Sequence, residues 1–419
     1  MRETETRLAP IPILRGRRIL LGVTGSIAAY KAADLASKLT QAGAQVDVML
    51  SRAAEQFVSP LTFRSVTGGL VHGEDDLWGE QGHVLHVKLA QRADLLLIAP
   101  ATANTLAKLA HGLADGLIPL AALAVQCPLL VAPAMDAGMY QHPAVQANVE
   151  LLRQRGVRFA GPDLGRMASG LQGLGRLVEP EHLIGHIRLA LGAEGPLRGR
   201  KVVVTAGGTQ EAVDAVRVLT NRSSGKQGYA LAQAALDRGA DVLLISAPAT
   251  LPVPVGAQLV HVTSADEMQA AVMEAVAGAD ALLMAAAVAD FRPARPSEAK
   301  LKKADGVPEI ELEATIDILK AVAEQRQKKG GLAVLVGFAA ESEALEANAS
   351  RKLTEKGLDL IVANDITADR AGFEADTNLV TLIEADGSLQ QLPLMSKVEV
   401  AERVLERVED LLGVTRSGG

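Results

Sequence analysis

The chain is poor in three things. It has one cysteine, Cys127, in 419 residues, which excludes an internal disulfide framework and any thiolate cluster for zinc or iron–sulfur, and fits a reducing cytoplasm. Aromatic residues make up only 2% against 48% hydrophobic residues, so the cores must be built from Ala, Leu, Val and Ile. Stacking platforms for single-stranded nucleic acid lack the rings they need. Positive charge is also scarce. A net charge of −7 and a pI near 5.7 give no general attraction for a polyanion, so neither nucleic acid nor an anionic membrane is expected as main partner. From Met1 to Arg18 there is no apolar h-region, and no secretory signal is read. The long hydrophobic run Leu117 to Met135 carries no charge for nineteen residues. Pro119, Pro128 and Pro133 punctuate it, and it reads as a buried helix running into a buried strand rather than a membrane span.

What is present is a repeating grammar of short apolar runs with helical stretches between them. Arg18 to Val23, Val46 to Leu50, Leu95 to Ala99 and Leu129 to Ala132 are continuous enough to be strands covered on both faces, as in a parallel sheet. Residues 30 to 42 place Ala33, Leu35, Ala36 and Leu39 near one helical stripe, and Gly43 then stops the helix. The pattern restarts at Lys201 to Ala206 and continues through Val242 to Ser246, Ala281 to Ala285, Ala333 to Gly337 and Leu358 to Val362. A Gly- and Pro-bearing stretch from Leu191 to Arg200 separates the halves. The expectation is an α/β chain of two doubly wound, Rossmann-like parallel-sheet domains, 1–192 and 201–419, with 193–200 as linker.

After the first strand of each half comes a small, glycine-bearing loop, Gly22 to Ser26 and Thr205 to Thr209, where backbone amides at a helix start would suit a phosphate. Neither loop has G-x-G-x-x-G spacing, and no G-x-x-x-x-G-K-[ST] occurs. The second strand of each half is followed by Ser51 and Ser246, not by the acid that a nicotinamide dinucleotide fold uses for its ribose. A mononucleotide is therefore favoured over NAD.

Five segments of the first half, taken in order, resemble the flavin-dependent cysteine decarboxylases that convert phosphopantothenoylcysteine to phosphopantetheine. They are Gly25 to Lys31, His83 to Asp94, Ala99 to Asn104, Ala132 to Tyr140 and Ala168 to Arg176. The resemblance covers roughly residues 15–190 and implies a flavodoxin-like domain with bound FMN. It places the FMN phosphate at Gly25, Ser26 and Ser51, with further contacts from Thr102 and Asn104. The flavin would oxidise the thiol carbon to a thioaldehyde, which eases decarboxylation, and then return the hydride. His86 matches the acid/base histidine. His83 nearby invites a zinc reading, but no third ligand is in view. Two positions depart from the family pattern: Asp136 stands where many relatives have a carboxylate-binding Asn, and Ser169 where a Cys often donates the proton. A hydroxyl is a poorer acid than a thiol, so a second reading makes the first half a flavin-binding oligomerisation scaffold, and a third gives it another cysteinyl substrate.

The second half contains Asn221-Arg-Ser-Ser-Gly-Lys-Gln-Gly228, Ala285 to Pro293, Lys300 to Lys303, Gly337 to Glu341, the pair Lys352 and Lys356, and Ala363 to Ile366. Together these resemble phosphopantothenate-cysteine ligase over roughly residues 198–410, and the fused order is that of the bacterial bifunctional coenzyme A biosynthesis family. The resemblance implies that CTP turns the phosphopantothenate carboxylate into an acyl-cytidylate, from which the cysteine amine displaces CMP. Asn221 would hold that intermediate. Lys300, Lys352 and Lys356 would contact the nucleotide, and Asp290 would bind nucleotide or support Mg²⁺. Phe338 and Ala286 would border the base. Ile316, Asp317, Ile318 and Leu319 fall where relatives contact nucleotide, with Ile316 in place of a common proline. The family further implies a homo-oligomer, with trimers through the flavin domain and dimers through the ligase domain, hence dodecamers.

Overall fold

Runs of consecutive Leu, Val, Ile and Ala fit strands with no face left to water. The computed structural model describes residues 10–78, 84–166, 170, 172–302, 308–341, 345–365 and 375–414, and in it such runs build two parallel sheets. The chain divides into two units, Met1–Gly192 and Ala193–Gly419.

The first unit's sheet uses β1 (Arg18–Val23), β2 (Gln45–Leu50), β3 (Val71–His72), β4 (Leu95–Ala101), β5 (Leu129–Pro133) and β6 (Arg158–Phe159). All run parallel in the order β3-β2-β1-β4-β5-β6, the doubly wound arrangement with its crevice between β1 and β4. Alternate residues of a strand face opposite sides. Ile19, Leu21 and Val23 therefore join Leu35 and Leu39 in one core, while Leu20 joins Leu96, Ile98, Leu117 and Leu152 in the other. The helix Ala29–Gln41 buries Ala29, Ala32, Leu35, Ala36 and Leu39 along one stripe. The chain leaves it through Gly43 at φ +101°, a backbone that a side chain would strain. The apolar run Leu117 to Met135 is a helix, Leu117–Ala124, followed by β5, and among the described residues no helix is long and apolar enough to cross a membrane. A hairpin of β7 (Asp163–Arg166) and β8 (Gln172–Arg176) follows the sheet.

In the second unit the strands are β9 (Lys201–Ala206), β10 (Gln210–Ala212), β11 (Val218–Thr220), β12 (Asp241–Ser246), β13 (Gln258–His261), β14 (Ala281–Met284), β15 (Phe291–Pro293) and β16 (Leu312–Ala314). They continue with β17 (Val334–Glu341), β18 (Leu360–Asp365), β19 (Thr377–Asn378), β20 (Val380–Glu384), β21 (Leu389–Gln391) and β22 (Met395–Ser396). The main sheet has the order β13-β12-β9-β14-β17-β18-β20-β21. Its first six members repeat the winding of the first unit, and β20 and β21 add an antiparallel edge. One face carries the helices Ala265–Ala275, Ile318–Lys329 and Leu345–Glu355, whose Met268, Val322 and Leu353 share a core with Val203 and Leu335. The helix Lys226–Leu236 takes no part in that core, and the C-terminal helix Lys397–Leu411 packs on it. Arg238 ties that pair together through Glu402 and Glu409.

Residues 193–200 are not free chain. Leu197 is fully buried and its N–H donates to the Arg238 carbonyl at 2.8 Å, so this turn-rich segment packs as part of the second unit.

Candidate functional site

Each sheet opens a cavity at the carboxyl ends of its central strands. In the first unit it measures about 1670 Å³ and is lined by the loops after β1, β2, β4 and β5. Gly25, Ser26, Ser51, Thr102, Asn104 and Asp136 all line it. Gly25 is there for space: a Cβ on it would stand 2.4 Å from the Ala53 Cβ, so only glycine lets the loops after β1 and β2 approach. Gly25→Ala is expected to lower flavin retention about tenfold, since overpacking of this kind costs about 1–3 kcal/mol; flavin absorbance of the purified variant, with circular dichroism for folding, reads it. The Ser26 Oγ accepts from Ala28 N–H at 3.3 Å and the Ser51 Oγ from Ala54 N–H at 3.2 Å. Thr102 caps the helix Ala103–His111 by accepting from Thr105 N–H at 3.3 Å.

Asp136 caps the helix Ala137–Gln141, its Oδ1 accepting from Gly138 N–H at 3.0 Å. An Asn would accept with its own side-chain oxygen, so the departure from the family pattern preserves the local turn. His86 sits half-buried in the first turn of the helix Leu85–Arg92, with Nδ1 buried and without a hydrogen-bond partner among the described residues. It is not in the lining of the cavity, but its helix packs against Leu117–Ala124, whose first turns line it. Ser169 and His83 lie outside the described residues, as does Lys303 of the second unit.

The second cavity measures about 740 Å³. It gathers Asn221 with Ala286 and Asp290 from the loop after β14, residues Ile316 to Leu319, Phe338 of β17, and Lys352 and Lys356. Lys300 is exposed and lies outside that lining; its neighbour Leu301 is held by Asp214, whose Oδ2 accepts the Leu301 N–H at 3.1 Å. The Asn221 Nδ2 donates to the Val288 carbonyl at 3.1 Å and stands 3.4 Å from that of Ala287. Asp317 caps the helix Ile318–Lys329 and pairs with the Lys356 ammonium at 3.1 Å. Among the described residues no three His, Cys, Asp or Glu side chains gather into a metal-holding set. A lone carboxylate such as Asp290 suits a Mg²⁺ that keeps its waters and rides on substrate phosphates.

Sequence reasoning passed over the threonines that build both crevices. Thr24, 3% exposed, donates through Oγ1 to the Pro100 carbonyl at 2.6 Å and accepts from Thr102 N–H at 3.1 Å, joining the ends of β1 and β4. Thr205 and Thr209, both fully buried, accept from Ala286 N–H at 3.1 Å and Ala289 N–H at 2.9 Å in the same way. The signal was a hydroxyl closing an apolar run. Asp214 is another omission, a buried carboxylate. Burial opposes its charge, but the N–H groups of Val216, Leu301 and Arg217 outweigh that and hold it below the usual carboxylate range.

These features define a chain of two doubly wound units, each with a cavity at the turning point of its sheet. The family model described as "Flavoprotein" matches residues 13–191, and that described as "DNA/pantothenate metabolism flavoprotein C-terminal domain" matches residues 197–412. The chain is 46% identical to "Coenzyme A biosynthesis bifunctional protein CoaBC" of Bacillus subtilis (strain 168), over 95% of this chain and 98% of that protein. It is 42% identical to the protein of the same name from Vibrio vulnificus (strain CMCP6), over 96% and 99%. A crystal structure of the C-terminal domain of a CoaBC protein covers 52% of this chain and 98% of its own, at 40% identity and a TM-score of 0.45. The chain belongs to the family of bifunctional coenzyme A biosynthesis proteins.

Proposed function

We propose that the second unit joins cysteine to 4'-phosphopantothenate with CTP, through an acyl-cytidylate, and that the first unit decarboxylates the product to 4'-phosphopantetheine with FMN. The observation that supports this most is the pair of cavities, one in each matched unit, on a chain whose relatives align over nearly their whole length. The first cavity suits FMN: Gly25 lets the loops after β1 and β2 close together, with Ser26 and Ser51 in the lining for the phosphate, and Thr102 and Asn104 stand across the crevice. When bound, FMN supplies a two-electron oxidation of the cysteinyl thiol carbon and the matching reduction after CO₂ has left. His86 moves the proton, Asp136 shapes the substrate side of the loop after β5, and Ser169 supplies a hydroxyl where relatives carry a thiol.

In the ligase, Lys352 and Lys356 draw in the triphosphate, joined by Lys300, with Mg²⁺ at Asp290. Phe338 and Ala286 border the base, with residues Ile316 to Leu319 beside them. Asn221 holds the acyl group while the cysteine amine attacks and CMP departs. The protein is read as a cytoplasmic homo-oligomer, in keeping with its single cysteine and with Trp78, 89% exposed at the edge of the first cavity, and Ile27, 60% exposed, on another stretch of its lining.

The test is a mass-resolved assay of purified protein with FMN, Mg²⁺, CTP, cysteine and phosphopantothenate. Phosphopantetheine is the expected product. Accumulation of phosphopantothenoylcysteine would leave the ligase standing and reduce the first unit to a flavin-binding scaffold.

A further inference from the structure

Amide synthesis in the second unit takes three substrates. The lysines and Asp290 serve the nucleotide and Asn221 the acyl group, which leaves the amine of cysteine unmet. Two further side chains line the second cavity, Asn364 at the end of β18 and Asn378 of β19. Each has a buried Oδ1 that no donor reaches among the described residues.

Asn378 is only 5% exposed, and its amide is held in one sense. The chain that holds it starts at a backbone carbonyl, that of Lys397, which can only accept and takes a hydrogen from Gln227 Nε2 at 3.2 Å. The Oε1 of Gln227 is thereby turned to Asn378 and accepts from its Nδ2 at 3.1 Å. Flipping either amide would set two acceptors face to face, so Oδ1 is the end of Asn378 left without a donor. Asn364 pairs with Val380 in the β18–β20 ladder, two residues along from Asn378. Two amide oxygens that have given up water without gaining a donor are costly, and a ligand carrying more than one N–H completes them.

Their surroundings select the ligand. Gln227, which holds Asn378, belongs to the same lining segment, Asn221 to Gly228, as the residue given to the acyl group. Ile318 and Leu319, given to the base, pack instead in the core with Val203 and Leu335, in which the helix Lys226–Leu236 takes no part. Asn378 therefore stands on the acyl side of the cavity. Charge points the same way. The carboxylates in the described lining are Asp290 and Asp317, and Asp317 is paired with Lys356 at 3.1 Å. A carboxylate beside an ammonium stabilises its proton, which the amine must shed before its lone pair can attack. A neutral amide oxygen accepts from the amine in either state.

We propose that Asn378 and Asn364 form the subsite for the amine of cysteine, their Oδ1 atoms accepting its N–H groups while its lone pair is turned to the acyl carbon. The C–N bond forms, the bond between the acyl carbon and the cytidylate oxygen breaks, CMP leaves with that electron pair, and the surplus proton passes to water. This rests on the reading of the second unit as a CTP-dependent ligase.

The experiment uses the full chain with Mg²⁺. Initial rates of amide formation are measured beside trapping of the activated acyl group as its hydroxamate by saturating hydroxylamine. Asn378→Leu keeps the side-chain volume and removes the acceptor. It is expected to raise the KM for cysteine by about 10–100-fold, the range for a hydrogen bond to a charged group. The KM values for CTP and phosphopantothenate stay within about twofold, and hydroxamate forms at the wild-type rate, which a merely structural lesion would lower. Asn364→Leu moves the cysteine KM in the same direction, and it decides the matter if circular dichroism shows that Asn378→Leu fails to fold. A rise in the KM for CTP with cysteine unaffected would give the two oxygens to the exocyclic amine of the base and overturn the proposal. A rise confined to phosphopantothenate would give them to its hydroxyl and do the same. If every constant stays within about twofold in the folded variants, no substrate uses these oxygens. A wild-type chain that forms neither amide nor hydroxamate from CTP and phosphopantothenate would instead defeat the ligase reading itself.

Discussion

Purified His86→Asn protein is expected to ligate cysteine at the wild-type rate, keep its flavin, and release CO₂ about 10²–10⁴-fold more slowly, the range for loss of a positioned acid or base. Asparagine fills much of the imidazole's volume and keeps a polar atom near the Nδ1 position, so the helix Leu85–Arg92 has little reason to repack. What it cannot do is take up and return a proton near neutral pH. The buried Nδ1 without a partner among the described residues points the same way, because a polar atom left unsatisfied is costly unless a ligand or a reaction uses it. Labelled CO₂ from phosphopantothenoylcysteine, measured beside flavin absorbance, separates the possibilities. Wild-type release by a flavin-loaded variant would remove His86 from the chemistry.

Asn221→Ala has the opposite signature, with flavin and decarboxylation of supplied phosphopantothenoylcysteine retained and amide formation reduced by about 10²–10³-fold or more. The Asn221 amide is fixed by its donation to the Val288 carbonyl at 3.1 Å, while the 3.4 Å contact with Ala287 is too long to hold the second hydrogen firmly. The residue therefore presents a pre-oriented N–H and a carbonyl oxygen at the cavity, as the proposed hold on the acyl group requires. Alanine removes both and leaves the Val288 carbonyl without its donor. Asn221→Asp restores the shape but replaces the donor with a charged acceptor, and is expected to be no better than alanine. Mass-resolved quantification of the amide reads both variants, and retained amide formation in Asn221→Ala would end the proposed role.

Central strands were legible because burial on both faces leaves an unbroken apolar run. Arg18 to Val23 and Lys201 to Ala206 coincide with β1 and β9 to the residue, and the helix read at 30–42 is Ala29–Gln41. Peripheral strands left no such trace. The two-residue β3 and β6 are too short to carry a pattern, and β21 is exposed throughout, its sequence reading as loop. The three-residue strands of the pairs β10–β11 and β15–β16 are likewise too short to carry one. The candidate site divides the same way. Glycines and serines after strand ends could be found because their position follows from the winding: Gly25, Ser26 and Ser51 line the first cavity, whereas Gly207, Gly208 and Ser246 are not in the lining of the second. Thr24, Thr205 and Asp214 escaped because their importance lies in which backbone groups they reach across the fold, from Thr24 to Pro100 or from Asp214 to Leu301. Spacing along a chain does not encode that. Lys397 was hidden differently, since a lysine opening an amphipathic helix looks like a solvated one until the strands β19 and β22 are seen to carry it inward.

Both sheets wind in the same order and split at the same place, yet the two units match two different family models. The difference resides in a handful of connecting segments, while the strands beneath are interchangeable in kind. A scaffold so indifferent to its cargo lets heritable variation act on two separate registers: substitutions within the sheets tune heat tolerance and lifetime, and substitutions in the segments above them retune turnover. Stability and turnover can therefore adapt at different tempos within a single chain.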